Sequence, residues 1–349
     1  MEVARESIFV SALRTFCRMF FGIIGLLIGL FLFFLLYGSL SSSVVLEEKT
    51  SMEILPDANW KREMVSVTAP VILQIPIHGV IGDPQKLDAE TFQNILVESR
   101  TNLLSRDRVK GILLHFNTPG GTATDSDEIY RMLKEYKARY KVPVFAYAEG
   151  LCASGGFYIA CAADQIFASP SSTIGSVGVL IGPFFNFSDL MEKMGIQART
   201  ITDGKDKDMM NPTRPWKPGE DQSIKEITTF TYNQFVNIVA ESRPQLDRSK
   251  LVNEYGAQVF DCITAKQYGY IDQPMSSRTE ALLALLKEAD ISPETPYQVV
   301  SLTPKGSWVS HLISCKSPLI SGKVNHVLDF GQPPIQEQAA YLYQPSRNR

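Results

Sequence analysis

Histidine is scarce in this chain: His78, His115, His311 and His326 are the only ones in 349 residues. Chemistry that needs an imidazole base or several imidazole ligands therefore has few candidates. The five cysteines (Cys17, Cys152, Cys161, Cys262 and Cys315) form no CxxC pair and keep no regular spacing, which excludes a disulfide framework. No zinc-ligand spacing, phosphate-binding P-loop or EF-hand loop occurs, so neither a metal nor a cofactor is expected. The formal net charge is only −3, which gives no electrostatic ground for nucleic-acid binding. Charge is also missing locally, since no Asp, Glu, Lys or Arg lies between Met19 and Leu46.

Within that uncharged stretch, residues 20–37 are almost wholly apolar. Eighteen such residues suffice to cross the ~30 Å hydrocarbon core as a helix. Arg5, Arg14 and Arg18 precede the run, and Glu47 and Glu48 follow it. By the positive-inside rule, the N-terminus stays in the cytoplasm and everything after residue 46 is exported. The run is longer than the hydrophobic region of a signal peptide and no A-x-A-like cleavage site follows, so it reads as an uncleaved single-pass anchor. The expected order is a cytoplasmic N-terminus (1–18), an anchor (19–46), a polar linker (47–68) that holds the body near the bilayer, an exported body (69–300) and a patternless tail (301–349) to which no role is assigned.

In the body, β-rich segments alternate with helical ones. Residues 71–82, 109–116, 142–148 and 165–168 read as strands, and 87–104, 126–139, 154–163, 224–242 and 278–289 as helices. Such alternation predicts an α/β fold with a parallel sheet flanked by helices. Two glycine-bearing motifs, Asn117-Thr118-Pro119-Gly120-Gly121 and Ser154-Gly155-Gly156, follow strands, so they should lie at the carboxyl edge of the sheet, where such folds place their sites. Residues 204–219 are polar and punctuated by Pro and Gly, hence a long loop.

Ser154 stands between a strand that ends in small residues and a Gly-Gly that opens a helix. A hydroxyl there is expected to be exposed and close to backbone N–H donors, as an acyl-transfer nucleophile must be. The N–H of Gly155 points the same way, and Gly120 or Gly121 can supply a second oxyanion donor because nothing on Cα keeps a carbonyl at a distance. With so few histidines, a lysine base is the better match, and the 204–219 loop offers Lys205 and Lys207. A lysine must be desolvated to be neutral near pH 7; Met209, Met210, Pro212 and Trp216 are the apolar residues at hand. Cys152 reads as a buried apolar residue and His115 as a strand-packing residue. Asp125 and Asp127 read as caps of the following helix, and Glu149 as structural.

Four stretches carry a resemblance to a known family: VKGILLHFNTPGG (109–121), VPVFAYAEGLCASGGFYIACAADQIFASPSSTIGSVGV (142–179), GKDKDMMNPTRP (204–215) and AKQYGYID (265–272). Together they resemble the signal peptide peptidase A (SppA) family, membrane-anchored Ser–Lys proteases of ClpP/crotonase-like fold. The resemblance implies Ser154 as nucleophile, Lys207 (the lysine before Asp208) as general base in preference to Lys205, and Ser176 as the hydroxyl that orients the lysine. It also implies a single-copy, short-type member on the extracytoplasmic side of a bacterial cytoplasmic membrane. Cleaved signal peptides would be its substrates. A homo-oligomeric ring or dome, in which Ser154 of one protomer faces Lys207 of the next, is implied too. Thr118 replaces the family's serine in the oxyanion segment, and AQVFDCITA (257–265) departs from the family's usual run. The competing readings are an inactive ClpP-like membrane scaffold and a crotonase-like acyl-CoA enzyme.

Overall fold

A computed structural model of the protein describes residues 8–40, 50–84, 86–304 and 340–342. The chain divides into two units, residues 1–48 and 49–349. The first is built on helix α1 (Ile8–Leu40), which contains a 23-residue stretch, Ala12–Phe34, with mean hydropathy 2.3 and no burial inside the protein. That stretch is long and apolar enough to span a bilayer. The helix begins earlier than the 19–46 stretch expected to be the anchor and takes Arg14 and Arg18 into its first turns.

The second unit opens with strands β1 (Thr50–Leu55) and β2 (Val71–Ile81), helix α2 (Ala89–Glu98), strand β3 (Val109–Thr122) and helix α3 (Ala123–Tyr140). It continues through β4 (Val144–Ala153), α4 (Gly155–Ala160), β5 (Gln165–Ala168) and β6 (Thr173–Gly175). Then come α5 (Ser188–Lys193), α6 (Gln222–Ser242), α7 (Arg248–Lys250), β7 (Val259–Asp261), α8 (Cys262–Tyr268), α9 (Arg278–Glu288), β8 (Gln298–Pro304) and β9 (Ala340–Leu342).

One sheet runs β1-β8-β2-β3-β4-β6-β7, with β5 also on β4 and β9 also on β3. Its centre is parallel, as the alternation of elements predicts: β8 with β2, β2 with β3, β3 with β4, and β4 with β5 and β6. The sheet is mixed, however, because β1, β7 and β9 join antiparallel. These short strands lie at the rim, where only one ladder has to be satisfied.

Period-two alternation sends successive side chains to opposite faces. From β2 and β3, Leu73, Ile75, Ile77, Ile112, Leu114 and Phe116 enter a large core with Phe92 of α2, Ile129 and Leu133 of α3, Phe157 of α4 and Phe235 of α6. Ile72 and Leu113, with Phe145 and Phe167, enter a smaller core under Leu282, Leu285 and Leu286 of α9. Both faces are thus apolar, which explains why these strands read as near-continuous hydrophobic runs.

The boundaries differ from the sequence reading in instructive places. Thr50–Leu55 lies inside the expected linker yet is the edge strand on β8, and β8 itself reaches into the expected tail. Both segments have polar residues on their outer positions, so neither shows the hydrophobic run of a central strand. β3 continues through Asn117–Thr122 instead of stopping at Phe116, and the helix after Ser154 ends at Ala160 rather than Ala163.

Arg243, at the C-cap of α6, is buried and makes a bidentate pair with Asp272, 2.8 Å to each oxygen. Asp272 also accepts the N–H of Ile166 at 2.8 Å, so this pair fastens β5 to the chain that follows α8. Removing one partner of a buried pair typically costs about 3–5 kcal/mol. Arg243→Ala is accordingly expected to lower unfolding free energy by about 3 kcal/mol in urea titrations, while a surface control, Lys287→Ala, changes it by less than about 0.5 kcal/mol.

Candidate active site

β4 and β6 end together. Their parallel register pairs Ala153 with Gly175, so Ser154 and Ser176 are each the first residue past the last pair. Both leave their strands at φ 56. At Ser154 the second angle is ψ −122, outside the ordinary regions for a residue with a Cβ. The turn is held on both sides: the Ser154 N–H donates to Gly175 O at 2.8 Å, and the Ser154 carbonyl accepts from Tyr158 N at 2.9 Å. Ser176 is fixed likewise by its N–H to Gln258 O at 2.7 Å.

Ser154 is the N-cap of α4, and the first-turn N–H groups of that helix, Gly155 among them, have no acceptor within the helix. The hydroxyl was expected to be exposed. Instead Ser154 is fully buried, and its Oγ has no hydrogen-bond partner among the described residues. An unpaired buried hydroxyl and a strained backbone each cost about 1–3 kcal/mol. Both costs fall on this one residue.

The 117–121 segment, expected to supply an oxyanion donor, is the far end of β3. The Gly120 N–H donates to Thr118 Oγ1 at 3.0 Å, and that hydroxyl in turn donates to Gly79 O at 2.5 Å. Thr118 therefore pins the segment to β2. A Cβ at Gly121 would collide with the Ile81 carbonyl, and one at Gly156 with the Thr118 methyl. Glycine at these two positions lets β2, the oxyanion segment and α4 close up on one another.

α4 is anchored from below by a contact the sequence did not announce. Tyr158 is fully buried and its hydroxyl donates to Asp127 at 2.6 Å, while Gln234 of α6 donates to the same carboxylate at 2.9 Å. Asp125 was expected to cap α3, but the N-cap is Thr122, whose Oγ1 accepts the Asp125 N–H at 3.2 Å; the Asp125 carboxylate instead accepts the N–H of Ala89, the first residue of α2, at 2.9 Å. Asp127 does not cap; it ties α3, α4 and α6 together. No spacing rule links residues 127, 158 and 234.

The lysine loop is ordered by a second unannounced residue. Arg214 donates to Asp208 Oδ2, to the Asp208 carbonyl and to Glu220 Oε2, each at 2.7 Å. These bonds hold the Asp208 and Glu220 carboxyls below their usual pKa. Lys207, next to this clamp, has an exposed side chain, and Lys205 is exposed beside Asp206. Among the described residues no hydrogen bond or ion pair joins either ammonium to Ser154 or Ser176. The chain thus brings Ser154, Ser176, Gly120, Gly121 and Gly155 to one corner and leaves Lys207 at the surface.

The remaining candidates are structural. Cys152 is fully buried, and burial drives its thiol pKa upward, which keeps it un-ionised. His115 stacks on Tyr147 at 5.6 Å and meets His78 edge-on at 4.9 Å. Burial, with the neighbouring His78, pushes its pKa down to about 4, although Glu149 Oε2 lies 3.1 Å from Nε2.

Residues 137–292 match the model of peptidase family S49. A chain of Enterococcus faecium named as a signal peptide peptidase SppA is 32% identical over 251 residues, 70% of this chain and 71% of that one. The chain belongs to the S49 (SppA) family. A second relative, a chain of Methanocaldococcus jannaschii named as a protease, is 35% identical over 60% of this chain and 64% of its own length. A ClpP1 variant from Listeria monocytogenes is similar at 19% identity and a TM-score of 0.39, over 60% of this chain and 94% of that chain. Three of the four stretches that carried the family resemblance fall wholly or largely within residues 137–292, including the Ser154 turn and the Lys207 loop.

Two predictions follow from this geometry in the S49 chain. Ser154→Gly should unfold at about 1 kcal/mol higher free energy than Ser154→Ala, since relief of the positive φ outweighs the larger chain entropy that glycine loses on folding; chemical denaturation measures it. For His115, whose folded-state pKa lies below the unfolded 6.5, the unfolded chain binds the proton first as pH falls. Stability is therefore full above about pH 6.5 and declines towards pH 4. Relative to His115→Phe, wild type should lose on the order of 2 kcal/mol across that window, read from urea midpoints at each pH.

Proposed function

We propose that this S49 member is a membrane-anchored serine endopeptidase in which Ser154 attacks the peptide carbonyl and Lys207 of a neighbouring protomer is the general base. The observation that carries the reading is the Ser154 turn: a strained, buried hydroxyl without a hydrogen-bond partner among the described residues, at the N-terminus of α4. The exposure of Lys207 supports the shared arrangement. In a single chain the Lys207 side chain is exposed, whereas a base acting near neutral pH needs burial. Packing the 204–219 loop against a second body supplies it.

Neutral Lys207 takes the Ser154 proton as Oγ bonds to the carbonyl carbon. The resulting oxyanion is held by the N–H groups of Gly155 and Gly121, since the Gly120 N–H is spent on Thr118 Oγ1. Ser176, at the neighbouring strand end, orients the lysine. The lysinium then protonates the leaving amine, and water, deprotonated by the same lysine, hydrolyses the acyl-enzyme. α1 would act as the anchor, with the body on the extracytoplasmic face, and cleaved signal peptides are the substrates proposed.

Ser154→Ala and Lys207→Ala should each lower peptide hydrolysis at least about 1000-fold, and Lys205→Ala less than about threefold. Co-assembled Ser154→Ala and Lys207→Ala chains should recover activity, because some sites then pair an intact serine with an intact lysine. Retained hydrolysis in either single variant refutes the dyad. Inactive mixtures, despite confirmed co-assembly, refute its sharing between protomers.

A further inference from the structure

Residues 56–62, just after β1, form a turn that presents a tryptophan to solvent. Asp57 closes it: its Oδ1 accepts the N–H groups of Asn59 and Lys61, each at 2.8 Å, and its own N–H donates to the Lys61 carbonyl at 2.9 Å. Arg62 fastens the far side to β1, donating to the Ile54 carbonyl at 2.7 Å and pairing with Glu53. Inside this clasp Trp60 has φ 62, a left-handed backbone that a bulky residue resists, and it is 81% exposed. The turn holds a large apolar ring out in water at a cost in strain.

Further apolar groups are exposed at the same end of the sheet. Leu55 closes β1 opposite Val299, Val71 opens β2 opposite Gln298, and the Val71 N–H donates to the Arg108 carbonyl at 2.8 Å. Residues 57–68 and 101–108 therefore meet where β2, β3 and β8 begin. Arg108 joins them, its guanidinium donating to the carbonyls of Ala69, at 3.1 Å, and of Leu103. Met64, Val67 and Leu103 are exposed there. So are Lys61, Arg106 and Lys110, whose side chains make no hydrogen bond or ion pair among the described residues. Residues 57–68 and 101–110 together hold five basic and three acidic side chains, a local excess of positive charge on a chain whose net charge is −3.

We propose that this face, with Trp60 at its tip, rests on the headgroup layer of an anionic lipid bilayer. An indole ring is at home at that depth, where one part meets hydrocarbon and its N–H stays wet. Each basic side chain near an anionic surface strengthens the contact about fivefold. Trp60 comes 20 positions after Leu40, the end of the helix that is long and apolar enough to span a bilayer. Tethered by so short a stretch to a spanning helix, the face meets lipid at high local concentration, so a contact too weak to hold a free protein is still populated. β4 begins near this end and runs ten residues to Ala153, about 30 Å at about 3.3 Å per residue. Contact at the Trp60 face therefore stands the Ser154 corner off the headgroups. No residue of this face belongs to the proposed catalytic set, so the lipid contact holds or fails independently of the peptidase chemistry.

The test uses the full chain in lipid vesicles, with Trp216→Phe and Trp308→Phe leaving Trp60 as the only tryptophan. In vesicles of phosphatidylcholine and phosphatidylglycerol, brominating the acyl chains next to the headgroups should quench about half of the Trp60 emission. Lys61→Gln with Arg106→Gln should weaken the contact about 25-fold and remove most of that quenching, as should vesicles of phosphatidylcholine alone. A chain that keeps only Trp216 should lose less than about a tenth of its emission. Equal Trp60 emission with and without bromine overturns the proposal, and so does quenching that is the same in neutral vesicles. Emission that ignores bromine but shifts to the blue as protein per vesicle rises assigns the face to a second copy of the chain, and likewise overturns it. A second measurement needs no substitution: hydrogen exchange of the amides of residues 59–68 in the native chain should be about tenfold slower in the anionic vesicles than in neutral ones. Equal exchange rates overturn the proposal.

Discussion

The backbone of Ser154 is held where a residue with a side chain resists going, and much of the surrounding architecture serves to hold it there. Left to itself, a serine at φ 56 and ψ −122 would relax by about 1–3 kcal/mol. It cannot, because its N–H is committed to Gly175 O and its carbonyl to the first turn of α4. α4 is in turn fastened by Tyr158 to Asp127 and Gln234. The strain is supported by the parallel sheet on one side and by three helices on the other. What it achieves is directional: Oγ stands at the positive end of a helix, clear of the hydrogen bonds that would otherwise quench it.

The two groups proposed for proton transfer live in opposite environments. The hydroxyl is buried and without a partner among the described residues, while the ammonium of Lys207 is solvated on a loop braced by Arg214. Bracing matters for such a residue, since a lysine that must meet its target through assembly loses less freedom if its backbone is already fixed. Arg214 spends its guanidinium on Asp208 and Glu220, so neither carboxylate is left to pair with Lys207.

A good part of this was legible in the chain. The alternation of apolar runs with amphipathic segments gave the α/β class, and strands buried on both faces gave the parallel centre. Ser154 was conspicuous because a hydroxyl followed by Gly-Gly after a strand has few other uses. Less was visible at the rim. β1, β7 and β8 are short or half-polar, and their pairing is set by partners distant in sequence, so no local pattern marks them as strands. The exposure expected of Ser154 was wrong for a related reason: burial depends on what covers a turn, and the covering elements come from elsewhere in the chain.

By itself the sequence determined the apolar helix near the N-terminus, the α/β alternation, and which residues carry reactive groups at glycine-rich turns. These are properties of a few neighbouring residues, governed by hydropathy, side-chain period and the room that glycine leaves. Tertiary structure alone decided that Ser154 and Ser176 leave adjacent strands side by side, that Asp127 braces α4 instead of capping α3, and that Ala340–Leu342 lies along Gly120–Thr122. Each of those joins residues 22 to over 200 positions apart, and only strand register and packing can bring such positions together.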